Sequence, residues 1–163
     1  MQKNFVFLEL GGNKGDRLSL IKQAKKLLAQ NSCKIIAQSS VYETPPWGFS
    51  ATQNFYNQVI KIETAYSAIE LIYELQKIEK ILGRVRGPER YESRSMDIDI
   101  LFFNCDIINK NDLTIPHPRL HLRKFVLVPM NEIAPGFIHP KLKLSIKQLL
   151  SDCTDPSVCN KIE

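Results

Sequence analysis

The stretch RSMDIDILFFN, from Arg94 to Asn104, has the composition of a buried β-strand, yet it carries two carboxylates, Asp97 and Asp99, in its middle. Side chains alternate across a strand, so Asp97, Asp99 and Leu101 are predicted to share one face, and Met96, Ile98, Ile100 and Phe102 the other. At a rise of about 3.3 Å per residue the two acidic α-carbons lie roughly 7 Å apart, close enough for both carboxylates to converge on one cation or a pair. Burying like charges side by side is costly unless a metal ion or a tight arginine pair neutralises them. Any fold of this chain therefore has to bring positive charge to one face of this strand. A plain salt bridge to neighbouring arginines is the commoner outcome for a generic D-x-D, and it is the reading against which a metal site has to be weighed.

The charge distribution favours the sharper reading. The net charge is +5, and six of the seven arginines fall between Arg84 and Arg123. The segment GRVRGPERYESR supplies Arg84, Arg86, Arg90 and Arg94 immediately before the acidic strand, on a loop that Gly83, Gly87 and Pro88 keep irregular. Guanidinium forks concentrated there suit charge on a transferring phosphoryl group better than a general nucleic-acid surface. Magnesium suits the acids, because it takes few carboxylates and completes its octahedron with water and phosphate oxygens; nucleotide phosphate is implied with it.

Periodicity orders the rest. Asn4 to Leu10 reads as a first strand, followed by a helix with Asp16 as N-cap and Leu20, Ala24, Leu27 and Leu28 at helical spacing. Lys34 to Tyr42 reads as a second strand and Tyr56 to Thr64 as a third. Ser67 with Glu70 forms a capping box that opens a second helix, in which Leu71, Leu75, Ile78 and Leu82 form the apolar stripe, Gln76 and Glu79 lie on another, and Gly83 is the stop. The acidic strand completes the order β-α-β-β-α-β. That order predicts an α+β, ferredoxin-like core, an antiparallel sheet with helices on one face, plus a C-terminal extension with a helix from about Arg123 to Asn131 and a short one at SIKQLL. One domain over 1–163 is the expectation from length and composition.

Cys33, Cys105, Cys153 and Cys159 lack C-x-x-C spacing, and the N-terminal apolar run is broken by Glu9, so free thiols and a cytoplasmic location are expected. No stretch approaches the ~20 apolar residues of a membrane span. GGNKGDR lacks the spacing of a phosphate loop and reads as a structural turn. His121 and His139 carry no metal-ligand spacing. In the Pro-rich ETPPWGF region, Trp47, Phe49 and Phe55 come close to Asn57, an amide able to read a heterocycle edge, so a planar aromatic ligand fits.

Together LGGNKGDR, VYETPPWG, FYNQVIKIET, LGRVR, RSMDIDILFFN and LTIPHPRLHLRKFVLVPMNEIAP, in this order, resemble the 6-hydroxymethyl-7,8-dihydropterin pyrophosphokinase family of folate biosynthesis, over nearly the whole chain to about Pro140. The resemblance implies a ferredoxin-like fold and transfer of diphosphate from ATP to the pterin hydroxymethyl group, releasing AMP. By the same resemblance Asp97 and Asp99 hold two Mg2+ ions. Thr44, Pro45, Pro46 and Trp47 match the pterin-contacting loop, Asn57 the pairing amide, and Phe55 and Phe125 the sandwiching rings. Gln76, Glu79, Arg84, Arg94, Ile100, Thr114, His117 and Arg123 match ATP-site positions, with Arg84 and Arg94 as phosphate clamps and catalytic residues; Arg86 and Tyr91 match a mobile loop whose closure excludes water. The implied partners are ATP and the pterin, with no nucleic acid and no membrane, in a monomer or weak homodimer. The chain departs from the family's common pattern at Tyr91-Glu92-Ser93, where Trp-Gly-Pro is frequent, at Phe55, where Tyr is frequent, and at Gly12, where Ser is common.

Two other classes compete. Nucleotidyltransferases also set D-x-D on a strand, but typically after a Gly-Ser pair on a helix start, and here the upstream segment is RYESRS. An RNA-binding ferredoxin-like module would present aromatics on the strand faces without buried acids, the opposite of this sequence.

Overall fold

The computed structural model describes residues 2–84 and 93–163. Its main sheet is antiparallel, and the strand order places β5 (Asp97–Phe103) against β1 (Asn4–Gly12), β1 against β4 (Phe55–Thr64), and both β2 (Cys33–Gln38) and β3 (Tyr42–Thr44) against the far edge of β4. With α1 (Arg17–Gln30) and α2 (Ala68–Ile81) this is the ferredoxin-like order expected. β1 lies between two neighbours and is buried at nearly every position, as a central strand should be.

Local chemistry sets the element ends. Asp16 Oδ1 accepts from the Ser19 amide at 3.1 Å and opens α1. Ser67 and Glu70 form the reciprocal capping box that opens α2. Gly83 has φ +88°, a left-handed conformation that side chains disfavour, and it ends α2 so that the chain turns back towards β5 at Arg84.

Two expectations are corrected and one is extended. The strand predicted from Lys34 to Tyr42 is two strands, because at Ser39 the side chain replaces the ladder: Ser39 Oγ accepts from the Val59 amide at 3.0 Å. The two helices of the core lie on one face, as expected, and the extension covers the other. Val6, Leu8, Leu10, Ile60, Ile62, Ile98 and Ile100 pack with the stripes of α1 and α2. On the opposite face Phe7, Val59, Leu101 and Phe102 pack with α3 (Lys124–Ile133) and α4 (Ile146–Asp152) of the extension. Third, Phe102 does not share the face of Ile98 and Ile100: a register shift between Phe7 and Leu8 leaves Leu101 unpaired, so Phe102 pairs with Phe7 and packs edge-on to it at 6.2 Å.

The extension also contains a hairpin of β6 (Ile108–Lys110) and β7 (Leu113–Ile115). Its last strand, β8 (Asn160–Lys161), returns to the sheet edge at β3, where the Val41 amide donates to Glu163 O at 2.7 Å. No helix among the described residues is long and apolar enough to cross a membrane.

Candidate active site

The acidic face of β5 continues across the sheet as two rows. Asp97 lies opposite Gly11, which lies opposite Asn57; one row along, Asp99 lies opposite Glu9, which lies opposite Val59. Directly paired residues share a face. Gly11, having no side chain, leaves a gap in the first row, and a cavity of about 290 Å3 opens over this end of the sheet. Asp97 and Asp99 form part of its floor, as does Glu9.

The two aspartates are neutralised differently. Asp97 receives a 2.7 Å ion pair from Arg84 on one carboxylate oxygen and another from Arg94 on the second. For this residue the plain salt-bridge reading of D-x-D holds. Burial and the neighbouring Asp97 carboxylate push Asp99 up to about 7, against the opposing pull of Arg123 and Arg94. Glu9 is pushed well above the usual carboxylate range by burial and by the same two aspartates.

Loops deliver the arginines. Arg84 follows the Gly83 turn, with its amide bonded to Glu79 O at 3.0 Å, while Glu79 Oε1 accepts from the Ile98 amide at 2.8 Å and so ties α2 to the acidic strand. Arg94 is fixed through its backbone by Asn13, whose amide donates to Arg94 O and whose Oδ1 accepts from the Arg94 amide, both at 2.8 Å. Asn13 Nδ2 donates in addition to Ser93 Oγ and to Gln53 O. GGNKGD is thus a structural turn that positions a site arginine. Close approach explains Gly12 too: a Cβ there would stand 2.2 Å from Ser95 O.

The aromatic side of the cavity is built from Trp47, Phe49, Phe55 and Phe125, with Thr44, Pro45 and Asn57 beneath. Phe49 meets Phe55 edge-on at 6.0 Å. The Arg123 guanidinium, at the N-cap of α3, lies 4.9 Å from the Trp47 ring centre and 5.5 Å from that of Phe125. Burial lowers the Arg123 pKa, a sign of a cation held away from bulk water. The buried Nε atoms of Arg84 and Arg123 find no hydrogen-bond partner among the described residues.

Of the other residues expected in the site, Gln76, Glu79 and His117 line the cavity, whereas Pro46, Ile100 and Thr114 do not. Ile100 points to the opposite face and belongs to the α1/α2 core; Thr114 is exposed on β7. Arg86 and Tyr91, and with them the loop-closure expectation, lie outside the described residues. No group of three or more His, Cys, Asp or Glu side chains able to hold a metal ion occurs among the described residues. A two-carboxylate donor set nonetheless fits a hard cation that takes its remaining ligands from phosphate and water.

Sequence reasoning passed over Glu9, Asn13 and Gly11. Glu9 carried the same signal as Asp97, a charge in the middle of the apolar strand NFVFLELGG.

The sequence profile described as 7,8-dihydro-6-hydroxymethylpterin-pyrophosphokinase matches residues 7–135. The chain is 38% identical to the 2-amino-4-hydroxy-6-hydroxymethyldihydropteridine pyrophosphokinase of Aquifex aeolicus, over 94% of this chain and 95% of that one. It is 40% identical to the Bacillus subtilis protein of the same name, over 80% and 78% respectively. It is also 37% identical to the folic acid synthesis protein fol1 of Pneumocystis carinii, but spans only 20% of that longer protein. Among solved structures it is similar to Plasmodium falciparum HPPK-DHPS, with a TM-score of 0.75 at 18% identity, covering 92% of this chain and 44% of that one; this likeness bears on the fold alone.

Proposed function

This chain belongs to the 7,8-dihydro-6-hydroxymethylpterin-pyrophosphokinase family, and from that premise we infer that it transfers diphosphate from ATP to the hydroxymethyl group of 6-hydroxymethyl-7,8-dihydropterin, releasing AMP, as a step of folate biosynthesis. The observation that carries this reading is one cavity in which two chemistries meet. Acids and arginines suited to a metal-bound polyphosphate stand beside an aromatic slot with an amide suited to a heterocycle.

Asp97 and Asp99 are the residues that would hold magnesium, in our reading two ions, and bound there the metal supplies neutralisation of the ATP phosphates. Arg84 and Arg94, which pair with Asp97 at 2.7 Å each, would turn those guanidinium groups to the phosphate oxygens of the nucleotide. The unpartnered Nε donors of Arg84 and Arg123 support an anionic occupant, since buried donors left without acceptors are costly. Gln76, Glu79 and His117 line the ATP side. Phe55 and Phe125 hold the pterin ring between them, and Asn57 with Thr44 fixes its edge. Transfer then depends on in-line positioning and charge neutralisation rather than on a strong general base.

The test is product analysis after incubation with Mg-ATP and 6-hydroxymethyl-7,8-dihydropterin. Pterin-dependent AMP without free pyrophosphate is expected. ADP as the nucleotide product, or free pyrophosphate with a nucleotidylated acceptor, would overturn the assignment in favour of a simple kinase or a nucleotidyltransferase.

A further inference from the structure

Glu9 is a buried acid that the mechanism above does not use. Its side chain is 4% exposed, it lines the cavity, and its Oε1 has no hydrogen-bond partner among the described residues. A buried carboxylate retained for the fold should spend both oxygens on donors, because an unmade hydrogen bond in the interior is costly. This oxygen is held ready instead.

Its direction is set by Gly11. The point above Gly11 that a Cβ would occupy lies 2.8 Å from Glu9 Oε1 and 2.6 Å from Asn57 Oδ1. Asn57 Nδ2 is committed to Thr44 Oγ1, which fixes the amide with its oxygen over the same gap. Two acceptor oxygens from one strand and its neighbour therefore flank a gap that exists only because residue 11 has no side chain. The acceptors call for adjacent donors on one rigid ligand edge. A 2-amino-4-oxopyrimidine ring, the recognition half of a pterin, offers that pattern as a ring N–H beside an exocyclic NH2.

We propose that Glu9 is a specificity-determining residue, whose Oε1 acts with Asn57 Oδ1 to accept the N–H donors of the pterin's aminopyrimidinone edge. The proposal rests on reading this cavity as the pterin site. The buried acceptor penalises any ring that lacks the donor by leaving its oxygen unpaired.

Calorimetry separates the possibilities, with magnesium and α,β-methylene-ATP at saturation so that no transfer occurs. The ligands are 6-hydroxymethylpterin and its analogue with hydrogen in place of the 2-amino group; the proteins are wild type, Glu9→Gln and Glu9→Ala. Wild type is expected to bind the pterin about tenfold more tightly than the analogue, the worth of a hydrogen bond to a buried acceptor. Glu9→Ala should lose most of that ratio by weakening for the pterin alone, Glu9→Gln, which keeps an acceptor oxygen, should lose less of it, and Glu9→Gln should melt no lower than wild type, since it conserves the shape of the buried side chain. Undiminished discrimination in both variants would overturn the role of Glu9. So would intact discrimination accompanied by weaker binding of the magnesium nucleotide, which would put Glu9 on the metal side. A folded wild type that binds neither ligand would refute the pterin site itself.

Discussion

The two faces of the central sheet differ along their length. On the face under α1 and α2, apolar side chains run from one end to the other, through Val6, Leu8 and Leu10 on β1 and Ile98 and Ile100 on β5. On the face under α3 and α4 the apolar packing of Phe7, Val59, Leu101 and Phe102 covers one end only. At the other end the same alternating positions are Glu9, Gly11, Asn57, Asp97 and Asp99. One face is built to be stable, and half of the other exchanges stability for a cavity with unneutralised acid in it. Function in this protein is a local interruption of a pattern that the opposite face continues.

The largest effect that would break this contrast is chemical. Asp97→Ala or Asp99→Ala should lower AMP formation by on the order of a thousandfold while the protein stays folded. Asp99→Asn should raise the melting temperature of the ligand-free protein at pH 8, because it removes a buried charge crowded by Asp97 and Glu79. Near-normal turnover in both alanine variants would sink the assignment of the acidic row to catalysis. On the opposite face Leu8→Ala, at a fully buried core position, should cost about 2–5 kcal/mol in denaturant unfolding yet leave turnover per folded molecule within a few-fold.

Between the faces stands Arg84. Arg84→Ala should weaken nucleotide binding about ten- to a hundredfold in a magnesium-ATP titration, with a smaller effect on melting, because it removes a phosphate partner along with one of two ion pairs to Asp97. The smallest effect lies at the outer edge of the α3 layer. Burial raises the Glu132 pKa, but hydrogen bonds from the Tyr42 hydroxyl and from the Ser40 hydroxyl and amide outweigh it and hold the carboxyl below its usual value of 4.5. A depressed carboxylate stabilises the fold above its unfolded pKa and loses that contribution as pH falls through the folded value. The melting difference between wild type and Glu132→Gln should therefore be present at pH 7 and close below about pH 4.5; because Glu132 is exposed, it should stay under about 1 kcal/mol. A gap that persists unchanged at pH 3 would show that the contact is not ionic.

Much of the architecture was legible from short-range pattern. The capping box at Ser67 and Glu70, the stripe from Leu71 to Leu82 and the strand from Asn4 each follow from rules that act within a few residues. The site was legible at Asp97 and Asp99 because a charge in an apolar strand violates a local rule, and such violations concentrate at functional positions. Glu9 broke the same rule and was passed over, since nothing local indicates that it faces Asp99 across a strand pair. Phe102 was assigned from strict alternation, which one unpaired residue at Leu101 shifts.

Alternation, capping and turn chemistry in the chain itself therefore fixed the element order and the face on which the acids lie, because these forces act between neighbours in sequence. Only tertiary structure decided that Asp97 would be held by two arginines while Asp99 and Glu9 would not. The same is true of Gly11 opening a gap between Asp97 and Asn57, and of Arg123 reaching the aromatic wall from the start of α3. Those outcomes depend on strand register and on which helix covers which end of the sheet, and both are set by contacts between residues far apart in the chain.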